Sequence, residues 1–239
     1  TQDHPHGTGH GLLKALESQD IKDGYVLVLF GDTPLIQKEN LELFLQETQG
    51  NPAVIVAGMM PPYENTFGRL VLDDDRGVKA IVEWANGSEE ERKLPWCNGG
   101  IMALRSNIAL EYLKAIKPNP LNGEYYLTDV VSYGRSQGEK VQWVAFPWQD
   151  LDGVNCPQDL ARAEKVMQDR LRHKMLHQGV TLIAPETVFF SADTIIEKDV
   201  IIHPWVVFGP GVTIKSGTVI ESFTHLSGAD IQNNCKVGP

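Results

Sequence analysis

Apolar positions along this chain follow three spacings, and each predicts a different kind of element. Residues 25–30 and 53–59 are unbroken apolar runs, which predict strands covered on both faces within a parallel sheet. Residues 68–72 and 78–82 instead alternate around Asp73-Asp74-Asp75-Arg76-Gly77, the pattern of an antiparallel hairpin whose aspartates form a solvated turn. Cys97 to Leu104 and Val141 to Phe146 read as further strands. Helical spacing predicts helices over about 11–18, over 39–46 with Leu41, Phe44 and Leu45, and over 106–116 with Ile108, Leu110 and Leu113 inward. Another carries Val130 and Val131. A long one starts at Pro157 with Leu160, Ala163, Val166, Met167 and Leu171 on one face. Strand, helix, strand from residue 25 to 59 is a βαβ unit, expected to cross over right-handedly.

From about Val188 the texture changes. Phe190, Ile196, Ile202, Phe208, Ile214, Ile220 and Leu226 recur every six residues, and Val188, Thr194, Val200, Val206, Val212, Thr218 and Thr224 keep the same period two places earlier. Neither helix nor simple alternation gives that period, so the segment is a hexapeptide-repeat solenoid, three hexads to a coil of parallel β-helix. The phase slips by one residue before Ile231 and Val237, which predicts a one-residue deletion at a corner. A bare end of coil exposes apolar surface and a sheet edge, so the array is expected to continue past Pro239.

Several polar residues sit where these elements end. Gly31-Asp32-Thr33-Pro34 follows the first apolar run, and open α/β sheets bind ligands at the carboxyl ends of strands. Asp32 there can hold a hard cation that neutralises phosphate oxygens, or it can simply cap the turn. Gly7-Thr8-Gly9 before the first helix lets backbone N–H groups approach an anionic or carbonyl ligand, or serves a Thr-capped helix start. His4, His6 and His10 match no common metal spacing and read as a solvated loop. Gly99 and Gly100 beside Asn98 leave room for a ligand or for tight packing. Asn155, just before the long helix, is a helix N-cap or a metal ligand.

Composition narrows the classes. With 42% hydrophobic and 22% charged residues, the 239-residue chain reads as one large or two modest soluble globular domains. A formal charge of −10 argues against a nucleic-acid surface, so a polyphosphate ligand needs a metal or local basic groups. No apolar run is long enough to span a bilayer. Cys97, Cys156 and Cys235 form no CxxC pair, which argues against a disulfide framework or zinc site and for a reducing, cytoplasmic compartment. The chain begins at Thr1 without methionine, so it reads as a fragment.

Taken in order, Gln2 with Gly7-Thr8-Gly9-His10, Phe30-Gly31-Asp32-Thr33-Pro34-Leu35, Phe67-Gly68-Arg69, Ile81-Val82-Glu83, Asn98-Gly99-Gly100-Ile101, Glu124-Tyr125-Tyr126-Leu127-Thr128-Asp129 and Gly153-Val154-Asn155 resemble a known family. It is the bacterial family of bifunctional N-acetylglucosamine-1-phosphate uridyltransferases and glucosamine-1-phosphate acetyltransferases, and the resemblance covers nearly the whole chain. It implies an α/β, Rossmann-like nucleotidyltransferase domain of the GT-A type over 1–156, a linking helix over 157–178, and the first coils of a left-handed parallel β-helix over 179–239.

The same resemblance implies that Gln2, Gly7 and Thr8 hold the uracil and ribose of UTP, with backbone contacts from Phe30 and Gly31. It implies that Asp32 and Asn155 bind Mg²⁺ and are the catalytic pair. Gly68, Glu83, Asn98, Tyr126 and Thr128 would hold N-acetylglucosamine-1-phosphate. The coils imply a homotrimer, and the acetyl-CoA site and its catalytic histidine would lie in coils beyond this chain, leaving His203 and His225 as surface or corner residues. Two departures stand out: the family usually has tyrosine at Phe30, and its opening strand and Gly-rich pyrophosphate loop would precede Thr1. Without that loop this stretch alone is expected to transfer nothing. Two alternatives remain: a pyrophosphorylase for another sugar nucleotide, and a non-catalytic regulatory subunit of the same architecture. A paired metal site disfavours the second.

Overall fold

The computed structural model describes residues 6–19, 21–73 and 77–239. The chain divides into two units, Thr1–Asn155 and Cys156–Pro239.

The first unit runs α1 (Thr8–Leu16), β1 (Tyr25–Val28), α2 (Lys38–Gln46), β2 (Val54–Met59), β3 (Arg69–Leu72), β4 (Val78–Val82), α3 (Glu89–Arg92), β5 (Cys97–Arg105), α4 (Ser106–Ala115), α5 (Asp129–Ser136), β6 (Val141–Ala145) and α6 (Trp148–Leu151). One six-stranded mixed sheet has the order β4-β3-β5-β2-β6, with β1 paired to β5. β2 is buried at every residue because successive side chains feed opposite cores. Val54 and Val56 join residues of α1, α4 and α5 on one face, while Ile55, Ala57 and Met59 join Phe44 of α2 and Leu151 of α6 on the other.

The first apolar run departs from its expectation. β1 stops at Val28, is only half-buried, and pairs antiparallel with β5 rather than lying inside a parallel sheet. An apolar run reports apolar surroundings but carries no information on strand direction, and Leu29 is 45% exposed. β2 meets its expectation on one side only, pairing in parallel with β6 and antiparallel with β5. The β3–β4 hairpin is antiparallel as expected. Its Asp73 is more than a solvated turn residue: it accepts a hydrogen bond from Gly77 N–H at 2.6 Å and an ion pair from Arg135 at 2.7 Å. Asp74 and Asp75 lie outside the described residues.

The second unit begins with α7 (Pro157–His177) and continues as short strands in three parallel sheets. Ile202 pairs with Leu182 and Ile220, and Ile220 with Val237 one residue early, so the phase slip is a real deletion. It falls at Gly228, whose φ is 57°. Val188, Phe190, Ile196, Ile202, Phe208, Ile214 and Ile220 fill the coil. Corners turn at stacked left-handed residues, among them Asp199, Gly217 and Asn234. Of the apolar face expected on α7, Ala163 and Leu171 are buried and Met167 packs on the coil core, but Leu160 is 59% exposed and the polar Gln168 and Arg172 are buried as well. Gln168 satisfies both backbone groups of Phe190, at 2.9 and 2.8 Å, and Arg172 donates to the Val188 carbonyl at 3.0 Å. Polar side chains thus seal the coil end where backbone groups would otherwise be orphaned.

Candidate active site

A cavity of about 880 Å³ opens in the first unit at the ends of β1, β4 and β5. Its wall gathers Gly7, Thr8, Phe30 and Asp32 with Gly68, Glu83, Asn98, Tyr126, Thr128 and Asn155, brought together from seven separate stretches of chain. Gly31 is not part of the lining, and Gln2 lies outside the described residues.

The glycines of these motifs are closely packed, and Gly7, Gly99 and Gly100 also line the cavity. Gly7 is the N-cap of α1 at φ 92° and ψ 172°, and no side chain caps the helix. A Cβ there would lie 2.7 Å from the Tyr125 carbonyl oxygen. Thr8 does not cap; its Oγ1 accepts from Leu127 N–H at 3.2 Å, and Gly9 N–H donates to the Tyr125 carbonyl at 2.9 Å. The start of α1 is thereby bolted to the 124–128 loop, so the two segments form one wall. Gly99 packs on Leu151, and Gly100, at φ 81°, packs on the Phe30 ring. Asn98 Oδ1 accepts from Gly100 N–H at 3.1 Å, and Asn98 N–H donates to the Gly68 carbonyl at 2.8 Å.

At one end of the cavity Val154 N–H donates to the Asp32 carbonyl at 2.8 Å, which draws the 153–155 segment alongside the turn after β1. A Cβ on Gly153 would lie 3.5 Å from Asn155 Nδ2 and 3.9 Å from Asp32 Oδ2, so both side chains border one glycine. Asn155 is not the helix cap: Cys156 holds that position, in a capping box with Asp159. The donor set is one carboxylate and one amide, and among the described residues no three acidic, His or Cys groups cluster as metal ligands. Two oxygen donors fit a hard divalent cation that takes its remaining ligands from water and phosphate, and do not fit a closed protein cage.

Elsewhere in the wall Thr128 donates to Glu83 Oε1 at 2.9 Å. Burial pushes the Glu83 carboxyl above its ordinary range; the Thr128 hydrogen bond opposes this, and the charge of Asp129 adds to it. Burial raises Asp129 as well. Tyr126 OH accepts from Asn122, which also donates to Glu124. Trp84 and Thr66 line the cavity too and were not singled out from sequence. The aromatic residue directly after Glu83 was the available signal. All three cysteines are free, and among the described residues no helix is long and apolar enough to cross a membrane.

Residues 193–228 match the family described as bacterial transferase hexapeptide (six repeats). The chain is 43% identical over 225 residues to bifunctional protein GlmU of Brucella anthropi, which is 93% of this chain and 49% of that protein. It is 46% identical over 227 residues to the GlmU of Rhodospirillum rubrum, 94% of this chain and 51% of that protein. The chain resembles GlmU nearly throughout. It spans about half the length of the curated GlmU relatives it matches. Among solved structures, a UDP-glucose pyrophosphorylase complexed with UDP-glucose aligns at TM-score 0.54 and 19% identity, over 71% of this chain and 65% of that one. A nucleoside-diphosphate-sugar pyrophosphorylase from Vibrio cholerae aligns at TM-score 0.51 and 12% identity, over 67% and 66%. At such identities the likeness shows the fold: a nucleotidyltransferase-like α/β unit, followed here by the hexapeptide coil that GlmU-like sequence implies.

Proposed function

We propose that this chain is the uridylyltransferase portion of a bifunctional enzyme, joining UTP and N-acetylglucosamine-1-phosphate into UDP-N-acetylglucosamine with release of pyrophosphate. The observation that carries the reading is the convergence of Asp32 and Asn155 on the cavity that also holds Gly68, Glu83 and Asn98. In the reaction a phosphate oxygen of the sugar phosphate bonds to the α-phosphorus of UTP, and the bond from that phosphorus to the β-phosphate oxygen breaks. Two anions must meet in a protein of net charge −10. Positioning and charge neutralisation therefore dominate catalysis.

Gly7 and Thr8 would orient the base and ribose beside the Phe30 and Gly31 backbone, with Gln2 as a further contact. Glu83, held by Thr128, would accept a sugar hydroxyl, and the Asn98 amide, Gly68 and Tyr126 would fix the sugar ring. Asp32 and Asn155 would hold a divalent cation, Mg²⁺ in this reading, which supplies positive charge at the phosphates when bound. The acetylation of glucosamine-1-phosphate by acetyl-CoA belongs to the remainder of the GlmU-like protein. The exposed Phe189, Trp205 and Val207 of the coils are surface that a cytoplasmic homotrimer would cover.

The test is pyrophosphate release from UTP and N-acetylglucosamine-1-phosphate by the protein at its natural full length. Asp32→Ala should lower kcat by on the order of 100-fold or more. Equal rates would remove Asp32 from the mechanism. Activity with glucose-1-phosphate alone would favour another sugar-nucleotide pyrophosphorylase, and no turnover with any pair would favour a regulatory subunit.

A further inference from the structure

The motif Phe67-Gly68-Arg69 contributes Gly68 to the cavity and leaves Arg69 unexplained. Arg69 opens β3 and is 6% exposed. Its guanidinium donates from Nη1 to Asn65 Oδ1 at 2.9 Å and to the Phe67 carbonyl at 2.6 Å. Nη1 also lies 3.1 Å from Cys97 Sγ, Nη2 lies 3.4 Å from the Asn65 carbonyl, and Nε donates to the Arg92 carbonyl at 3.1 Å. The plane rests over Trp84, 4.8 Å from the ring centroid, and Arg92 lies over the same ring at 5.4 Å. None of these partners is a carboxylate. A buried cation is expensive unless its donors are met, and here a rigid fork is met by atoms from separate chain segments.

Those segments carry the sugar end of the cavity. Asn65 and Phe67 lead into Gly68, Trp84 follows Glu83, and Cys97 precedes Asn98, whose N–H in turn holds the Gly68 carbonyl. A Cβ on Gly68 would meet Glu83 Oε2 at 3.3 Å, so the tolerance between these walls is small. We infer that Arg69 is a positioning residue for the sugar-phosphate half of the site, setting the spacing of Gly68, Glu83 and Asn98 without touching substrate. Lysine cannot reproduce this, because a single ammonium cannot span donors aimed at Asn65, Phe67 and Arg92 together. The inference rests on the uridylyltransferase reading.

The experiment compares the full-length wild type with Arg69→Lys and with Asn65→Ala, which removes one partner of the fork and lies outside the cavity lining. Expected is a rise in KM for N-acetylglucosamine-1-phosphate of about 10- to 100-fold in Arg69→Lys, with KM for UTP within about twofold. Asn65→Ala should move the same constant in the same direction by less, and it carries the comparison if Arg69→Lys does not fold. A second readout is independent of turnover: alkylation of the buried Cys97, followed by mass spectrometry against exposed Cys156, should speed up on loosening the fork. A sugar-phosphate KM unchanged in both variants, or an equal rise for both substrates, overturns the inference. A wild type without pyrophosphate release overturns the functional reading instead, and unchanged Cys97 protection in the variants then overturns the positioning claim on its own.

Discussion

A single methyl group added at Gly7 measures how rigidly the wall formed by α1 and the 124–128 loop is built. Gly7 sits at φ 92° and ψ 172°, a region essentially reserved for glycine, and forcing alanine there costs about 1–3 kcal/mol. The new Cβ would also press on the Tyr125 carbonyl oxygen at 2.7 Å and the Tyr125 nitrogen at 2.9 Å. These are backbone atoms that are hydrogen-bonded to Gly9 and His6, so they cannot swing aside as a side chain would. Overpacking of this kind costs a further ~1–3 kcal/mol. Gly123→Ala is the internal control, since Gly123 has φ 74° but nothing within 4 Å of its Cβ position, leaving only a conformational cost of about 1–2 kcal/mol. For a unit of this size each kcal/mol lowers the thermal midpoint by roughly 2–4 °C. The two costs together, about 2–6 kcal/mol, should therefore make Gly7→Ala melt about 4–24 °C below wild type by circular dichroism, further than Gly123→Ala. Equal shifts in the two variants would refute the argument that α1 is bolted to the 124–128 loop.

Three further outcomes follow from the site and the coil. Asp32→Ala should abolish most turnover yet leave the melting temperature within about 2 °C, because the side chain is exposed and surface changes away from packed features are usually small. Glu83 gives a pH dependence whose sign is fixed by its raised carboxyl: its stabilising contribution is complete only below the ordinary value of 4.5 and is lost as pH rises through the higher folded-state value. Glu83→Gln should accordingly stabilise at neutral pH, raise the KM for the sugar phosphate, and remove the rise in that KM which wild type shows on acidification. A midpoint lowered at neutral pH would contradict this. Gln168→Leu should cost roughly 2–4 kcal/mol in urea unfolding, since both backbone groups of buried Phe190 lose their partner. A loss under about 0.5 kcal/mol would mean that the coil end is sealed some other way.

How legible these features were depended on the range over which their causes act. The hexad period is local and repeats, so Phe190, Ile196 and Ile202 announce the coil, and even the deletion before Ile231 can be read as a lost beat. The pairing of β1 with β5 is a contact between distant segments, and nothing in Tyr25–Val28 encodes its direction. Gln168 and Arg172 were missed for a related reason. A helical wheel counts apolar residues, whereas what these two satisfy are the carbonyls and N–H of strands that come after them in the chain.

The site was legible through its polar residues at strand ends, but the reasons for its glycines were not. Gly99 and Gly100 read equally well as ligand clearance or as packing, and Gly7 as ligand approach or a helix start; the structure puts a protein atom within 3 Å of each absent Cβ. Close packing and ligand clearance are therefore coupled here. Because Gly7 is wedged on the Tyr125 backbone and Gly100 on the Phe30 ring, residues that face the cavity are themselves held by close contacts between separate stretches of chain. The positioning proposed for Arg69 extends the same logic to Gly68, Glu83 and Asn98, whose chain segments its buried guanidinium joins. A site assembled from seven stretches of chain can keep its spacing only if contacts of this kind tie those stretches to one another.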